Sequence, residues 1–123
     1  MSTDRITRKT IAHLFHDDPD SLLIGSRLPA RINEIAADNG IEVEVFVFGP
    51  AQRRLTQAET EADKVFNTRI DELVASGIRV GACINTARAD GSEQTLTQRG
   101  LRLAVARDEF IRFTLENATV ITF

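Results

Sequence analysis

The chain has 123 residues, of which 42% are hydrophobic and 27% charged, and these proportions are ordinary for one soluble globular domain. Its formal net charge of −3 argues against nucleic acid as the main partner, because binding to phosphates needs a clustered excess of lysine and arginine. No apolar stretch approaches the ~18 residues that span a membrane, so no membrane association is expected. One cysteine cannot form an internal disulfide, and the N-terminus lacks the apolar core of a signal peptide. We therefore expect a single domain over residues 1–123, located in the cytoplasm.

Segments that predict strands alternate with segments that predict helices along the whole chain. Short apolar or alternating runs, ended by glycine, proline or aspartate, are typical of strands. Positions that repeat every three or four residues before a glycine are typical of helices. This alternation predicts an α/β fold with a mainly parallel sheet between helices. The predicted strands are residues 9–15, 41–48, the run that ends at Cys83, 101–106 and 118–123.

Several expectations concern where the helices begin and end. Pro29 predicts either a kink or a first helix whose regular part begins near it, because proline removes a backbone donor. Residues 56–59 have the spacing of a capping box. Residues 59–64 are expected to form a solvated face or a mobile loop. The second helix is best defined over residues 67–76. Asp108 is expected to cap the last helix. The apolar positions of the first helix are Ile24, Leu28, Ile32 and Ile35, before a stop at Gly40.

Cys83 stands where the third predicted strand ends, and this placement allows two interpretations. Open α/β sheets build ligand sites beyond the carboxyl ends of their strands, and a following helix N-terminus lowers the pKa of a thiol. Residues 85–89 are expected to open such a helix. Free cysteine is also among the most buried residue types, so the alternative is an inert side chain that only packs.

Other candidate groups follow neighbouring strands and are expected to meet Cys83 at one edge of the sheet. They offer an imidazole, carboxylates, a bend with room for close backbone approach, and exposed amides. The alternative for the imidazole is a histidine that is simply solvated, and the alternative for the bend is an ordinary turn that ends a strand. The imidazole is a candidate proton carrier, because its ordinary pKa is ~6.5. The candidates are His16 with Asp17 and Asp18, Gly49–Pro50–Ala51, and Asn85 with Thr86.

No metal or nucleotide site is expected. His13 and His16 are three positions apart, which places them on opposite faces of a strand rather than around one ion. The glycine-rich motifs that cradle phosphates and the elbow motif of serine hydrolases do not occur in the sequence.

Two motifs resemble the DsrE/DsrF-like family. Residues 45–51 are similar to the family's strand ending in Gly-Pro-Ala, and residues 70–86 are similar to its helix, glycine turn and strand ending in Ala-Cys-x-Asn-Thr. The first strand, running into His16, also resembles the family's opening. The resemblance covers most of the chain. It implies a three-layer α/β/α sandwich with a five-stranded parallel sheet, assembled into trimers or hexamers.

The characterised members of this family serve sulfur relay, so the resemblance implies that Cys83 carries a persulfide between donor and acceptor proteins. Amides near Asn85 and Thr86 would stabilise the anion, and His16 or Asp17 would assist proton movement. Such a carrier needs no bound organic cofactor. The alternative is a module of the same fold that binds a small ligand or a partner while Cys83 packs. A redox sensor is a third possibility and would need a resolving thiol from another chain.

A homo-oligomer is also expected from composition. The chain has several large phenylalanines but no tryptophan or tyrosine, which favours exposure of some of them at a subunit surface. The alternative is that all of them face the core. The phenylalanines in question are Phe66, Phe110, Phe113 and Phe123.

Overall fold

A computed structural model describes residues 8–123 and confirms the predicted α/β architecture. In this range, five parallel strands form one sheet in the order β4-β3-β2-β1-β5. The strands are β1 (Arg8–Leu14), β2 (Ile41–Val47), β3 (Arg79–Cys83), β4 (Arg102–Ala104) and β5 (Thr119–Thr122). The helices are α1 (Pro19–Ala36), α2 (Gly49–Arg53), α3 (Glu61–Ala75), α4 (Ile84–Ala89), α5 (Glu93–Gln98) and α6 (Ala106–Leu115), with a 3₁₀ turn at Ala37–Asn39.

The strand order decides which face of the sheet each helix covers. From β1 to β4 every connection steps in the same direction, whereas the connection from β4 to β5 returns past β1. Parallel crossovers are almost always right-handed, so a reversed step places its helix on the opposite face. Accordingly α6 packs on one face, and α1 and α3, with the shorter helices, pack on the other.

The two faces have separate apolar cores. The larger core joins the sheet to α1 and α3 and includes Leu22, Phe66 and Ile70, each at most 1% exposed. The smaller core lies under α6 and includes Phe46, Phe113 and Cys83 among its buried residues. β2 is buried on both sides, as expected for the central strand of a parallel sheet.

A buried carboxylate fastens α6 to the sheet. Glu44 on β2 is 3% exposed, and its oxygens accept from Arg112 at 2.8 Å and Lys9 at 2.9 Å. Burial raises the pKa of Glu44, but these two cations outweigh it and hold that pKa below its ordinary value. A buried charge needs such partners, so this network fixes where α6 lies.

Helix α1 differs from its prediction in both its start and its exposed face. It begins at Pro19, where Asp18 accepts from the Ser21 N–H at 3.1 Å, and it is assigned as one helix through Pro29. The prediction of a helix that becomes regular only near Pro29 is wrong, because packing outweighs the ~3 kcal/mol that an internal proline costs. The helical periodicity is confirmed, but Ile24 and Ile35 are 55% and 61% exposed. The residues of α1 that are buried are Leu22, Gly25, Ser26, Pro29 and Ala36.

Two predicted helix starts are wrong. The capping box lies at Thr60 rather than at residues 56–59: the Thr60 hydroxyl accepts from the Asp63 N–H at 3.1 Å, and Asp63 accepts from the Thr60 N–H at 3.0 Å. Helix α3 therefore includes residues 61–64, which were expected to form a loop or a solvated face. Val105 occupies the N-cap position of α6 without a side-chain capping bond, and Asp108 lies inside the first turn, where a negative charge is favourable.

Candidate functional site

Cys83 lies where two neighbouring strands continue into helices on opposite faces of the sheet. It is the last residue of β3, which continues into α4 on one face. Its partner in β4 is Ala104, and β4 continues into α6 on the other face. Adjacent strands whose connections diverge in this way leave a crevice at their carboxyl ends, where open α/β sheets bind ligands.

The two diverging helices place hydrogen-bond donors around the Cys83 sulfur. Burial raises the pKa of the thiol. The backbone N–H and hydroxyl of Thr86 and the N–H groups of Ala106 and Asn85 together lower that pKa by a larger amount. The net pKa lies below its ordinary value, so a larger fraction of the thiol is ionised near neutral pH. Thiolate is the nucleophilic form of cysteine. Thr86 and Asn85 were predicted at this site, whereas the amide of Ala106 becomes visible only from the pairing of β3 with β4.

Gln52 holds the backbone of Cys83 and was missed by the sequence analysis. Its Nε2 donates to the Cys83 carbonyl at 2.9 Å, and its Oε1 accepts from the Cys83 N–H at 3.0 Å. The side chain is 1% exposed, so both bonds are shielded from water. The only sequence signal is a polar residue next to Ala51 in the turn after β2. Gln52 therefore positions the strand end that carries the sulfur.

The sulfur is covered by apolar side chains. Cys83 is 4% exposed and belongs to the core that contains Phe46 and Phe113, with the half-buried Phe48 and Phe110 packed against it. This low exposure restricts access to the thiol. The site therefore combines a lowered thiol pKa with restricted access.

The predicted turn Gly49–Pro50–Ala51 is built around close packing. Gly49 has a φ of +62°, and a Cβ there would overlap the ring of Phe15. Ala51 donates its N–H to the Phe15 carbonyl at 2.9 Å, which ties the turn to the end of β1. Since Gln52 follows directly, the turn also fixes the residue that holds Cys83.

His16 and Asp17 lie at the same edge but are not brought to the sulfur. Both are exposed and follow β1, and β2 separates that strand from the one that ends at Cys83. Two strand spacings correspond to about 10 Å. Asp17 instead accepts from Arg54 at 3.4 Å.

His13 is a second buried polar group on the α6 face. It is 8% exposed, its Nδ1 lies 3.0 Å from the Thr122 hydroxyl, and its Nε2 has no hydrogen-bond partner within residues 8–123. Its ring lies edge-on to Phe110, with centroids 5.0 Å apart. Burial, and to a lesser degree the charge of His16, lower the pKa of His13. Protonation of this imidazole is therefore disfavoured in the folded protein.

Within residues 8–123, no three histidine, cysteine, aspartate or glutamate side chains are grouped so that they could hold a metal ion. Among the helices of the same range, none has the length and apolar character that crossing a membrane requires.

The fold and the placement of Cys83 define an α/β protein with a cysteine at a strand-to-helix junction. The chain belongs to the DsrE/DsrF-like family, whose model matches residues 9–123. It is also similar to two solved structures that share its fold. One is a conserved protein of unknown function from Bacteroides thetaiotaomicron, with a TM-score of 0.75, 14% identity and full coverage of both chains. The other is a protein of unknown function from Methanobacterium thermoautotrophicum, with a TM-score of 0.70, 21% identity, and coverage of 94% of this chain and 99% of that one. None of the curated proteins compared matches the chain.

Proposed function

We propose that this protein carries sulfur as a persulfide on Cys83 between protein partners. The observation that carries the proposal is the position of Cys83 at the end of β3, where the first turns of α4 and α6 meet and lower the pKa of the thiol. Membership of the DsrE/DsrF-like family supports the same chemistry. Both a reactive thiolate and a persulfide anion are favoured by hydrogen-bond donors at such helix starts.

Each transfer is an exchange with no net oxidation. The Cys83 thiolate attacks the outer sulfur of a donor persulfide, a new S–S bond forms at Cys83, and the donor leaves as a thiolate. The outer sulfur keeps its proton or its charge throughout. An acceptor thiolate then attacks that outer sulfur, and Cys83 leaves as a thiolate. A leaving thiol with a lower pKa departs faster, so the same amides assist the second step.

The remaining predicted residues have supporting roles in this proposal. Asn85 and Thr86 would stabilise the anion on the sulfur, and the turn that begins at Gly49 would hold Gln52 against Cys83. His16 and Asp17 follow β1, two strands away from β3, where they would contact a docked donor or acceptor.

Mass spectrometry after incubation with a persulfide donor tests the proposal. The native protein should gain one sulfur, Cys83→Ser should gain none, and a dithiol should remove the added sulfur. The pH dependence of iodoacetamide alkylation should have its midpoint below that of the same protein unfolded in urea. Failure to gain sulfur under conditions where the unfolded chain gains it would refute a carrier role.

A second candidate function is a binding module in which Cys83 only packs. The 4% exposure of Cys83 and its apolar neighbours favour this alternative. It predicts that the native thiol resists alkylation at every pH while the folded protein still binds a ligand or partner at the crevice. The two candidates are therefore separated by the same alkylation experiment.

We also propose that the protein forms a homo-oligomer, with trimers or hexamers expected from the family resemblance. Of the four phenylalanines, Phe66 and Phe113 are buried and Phe123 is half-buried, whereas the half-buried Phe110 lines a surface groove on α6. On the same helix, Ile111 and Leu115 are 52% and 77% exposed. Exposed patches of this kind mark interfaces. Sedimentation of the native protein and of Leu115→Asp should give an oligomer and a smaller species, respectively.

A further inference from the structure

The outer surface of α1 carries an apolar groove on the side of the sheet opposite Cys83. The groove encloses about 500 Å³, within the range of volumes found for binding sites. Its floor is aliphatic and its border is basic. The residues that line it are Leu23, Ile24, Arg27, Leu28, Arg31 and Arg69.

The apolar residues form a stripe that continues beyond the groove. At about 100° per residue, positions 24, 28 and 35 fall within about 40° of one another on α1, and about 60–140° away from the buried positions 25 and 29. Ile24 and Ile35 are 55% and 61% exposed. A single exposed isoleucine needs no explanation, but an aligned row of branched side chains over three turns indicates a contact surface.

The charges bordering the groove run against the sign of the whole chain. Arg27, Arg31 and Arg69 border it, although the formal net charge is −3. Arg69 is held in place because its Nη1 donates to the Leu23 carbonyl at 2.7 Å. Arg31 has an exposed carboxylate partner, Glu34, at 3.6 Å. This arrangement attracts carboxylates that flank an apolar surface.

We propose that this groove binds an acidic amphipathic helix of a partner protein. The stripe from Ile24 to Ile35 is about 16 Å long, which matches three turns of a helix. Recognition of helices in grooves uses anchors at i, i+3, i+4 and i+7, and carboxylates beside those anchors would face the arginines. A second copy is a poorer match, because the exposed apolar residues of α6 lie beside Arg107, which is itself paired with Asp108 at 2.9 Å.

Fluorescence anisotropy with a designed peptide tests the proposal. The probe is a labelled helical peptide of about 16 residues, with leucines at i, i+3, i+4 and i+7 flanked by glutamates, and a matched peptide carries lysines instead. The acidic peptide should bind at least about tenfold more tightly than the basic one. Arg27→Glu combined with Arg31→Glu should weaken binding by at least the same factor, and Ile24→Ser should also weaken it. Arg107→Glu, on the exposed side of α6, is the matched control and should have no effect. Circular dichroism checks that each variant is folded.

Several results would overturn this inference. Equal affinity for the acidic and basic peptides, or full binding by the double arginine variant, would refute the role of charge. Absence of any binding would refute the proposal as a whole. Dissociation of an oligomer by Ile35→Asp would make a second copy the occupant. Tighter binding of dodecanoate than of the peptide would identify a small anionic amphiphile as the occupant of the groove. Peptide binding that requires removal of residues 1–7 would identify that segment as the occupant. Persulfide loading of Cys83 is measured separately, so failure of the proposed sulfur chemistry leaves this test unaffected.

Discussion

Replacing Gln52 with methionine tests whether this side chain positions the candidate site. The wild-type amide makes two bonds to Cys83, at 2.9 and 3.0 Å, and is 1% exposed. Methionine has a similar length and preserves the apolar contacts, but it cannot donate and accepts only weakly. The substitution therefore leaves the Cys83 N–H buried without its partner and removes one of the bonds to the Cys83 carbonyl, which still accepts the first hydrogen bond of α4.

The expected loss of stability follows mainly from the Cys83 N–H. A buried backbone group left without a partner costs about 1–3 kcal/mol, so Gln52→Met should lower the free energy of unfolding by about 1–3 kcal/mol. This is a large share of the roughly 5–15 kcal/mol that stabilises a typical domain. Urea unfolding followed by circular dichroism measures it. Gln94→Met, at an exposed position on α5, is the matched control and should change stability by less than about 0.5 kcal/mol.

The same variant should also change the thiol. Once the end of β3 is released, the Cys83 sulfur is held less well against the amides of Thr86 and Ala106, and its pKa should rise. The midpoint of iodoacetamide alkylation against pH would then move upward, while Gln94→Met leaves it in place. A loss of less than about 1 kcal/mol together with an unchanged alkylation midpoint would refute the reasoning, because the two hydrogen bonds would then neither stabilise nor position.

Three further predictions concern the surroundings of the site. Because burial lowers the pKa of His13 in the folded state, the unfolded chain binds the proton first, so stability should be full above the ordinary pKa of ~6.5 and fall as pH drops below it. His13→Phe should reduce this fall in urea unfolding at pH 7 and pH 5, and an undiminished fall would exclude His13 as its cause. Gly49→Ala should destabilise more than Gly91→Ala, since both have positive φ but only the first Cβ meets a ring; equal losses would contradict this. Phe110→Ala should speed alkylation of Cys83 without moving its pH midpoint, and an unchanged rate would mean that other side chains form the cover.

The fold was accessible from the sequence because each strand and helix has a local signal. The alternation of the two kinds of segment required only periodicity and turn residues, and the Gly-Pro-Ala and Ala-Cys-x-Asn-Thr motifs placed Cys83 at a strand end. The groups around Cys83 were harder to predict from the sequence. The role of Gln52 depends on β2 lying beside β3, and the role of Ala106 depends on β3 lying beside β4. Strand order is a long-range property that no local pattern states.

Helix α1 illustrates a different limit. Periodicity identifies a helix, but a helix with apolar residues on two sides does not reveal which side meets the core. Here the buried side contains Gly25, where an added Cβ would lie 3.0 Å from the Cβ of Phe123 and 3.1 Å from Leu14. Close approach of the sheet thus requires a glycine at this point of the buried face. The larger isoleucines are left outside, where their spacing is equally regular.

The strand order also accounts for the chemistry at Cys83. Since only the last crossover reverses direction, the first turns of α4 and α6 converge on one sulfur from the two faces of the sheet. The same reversal places α6 over the sulfur and brings Phe110 and Phe113 with it. Stabilisation of the anion and restriction of access therefore have a single structural origin. A carrier benefits from both, because fixed amides favour the thiolate while the apolar cover keeps a bound persulfide from unintended thiols. Opening of this cover, rather than ionisation of the thiol, should then limit the rate of exchange, with small reagents as well as with protein partners.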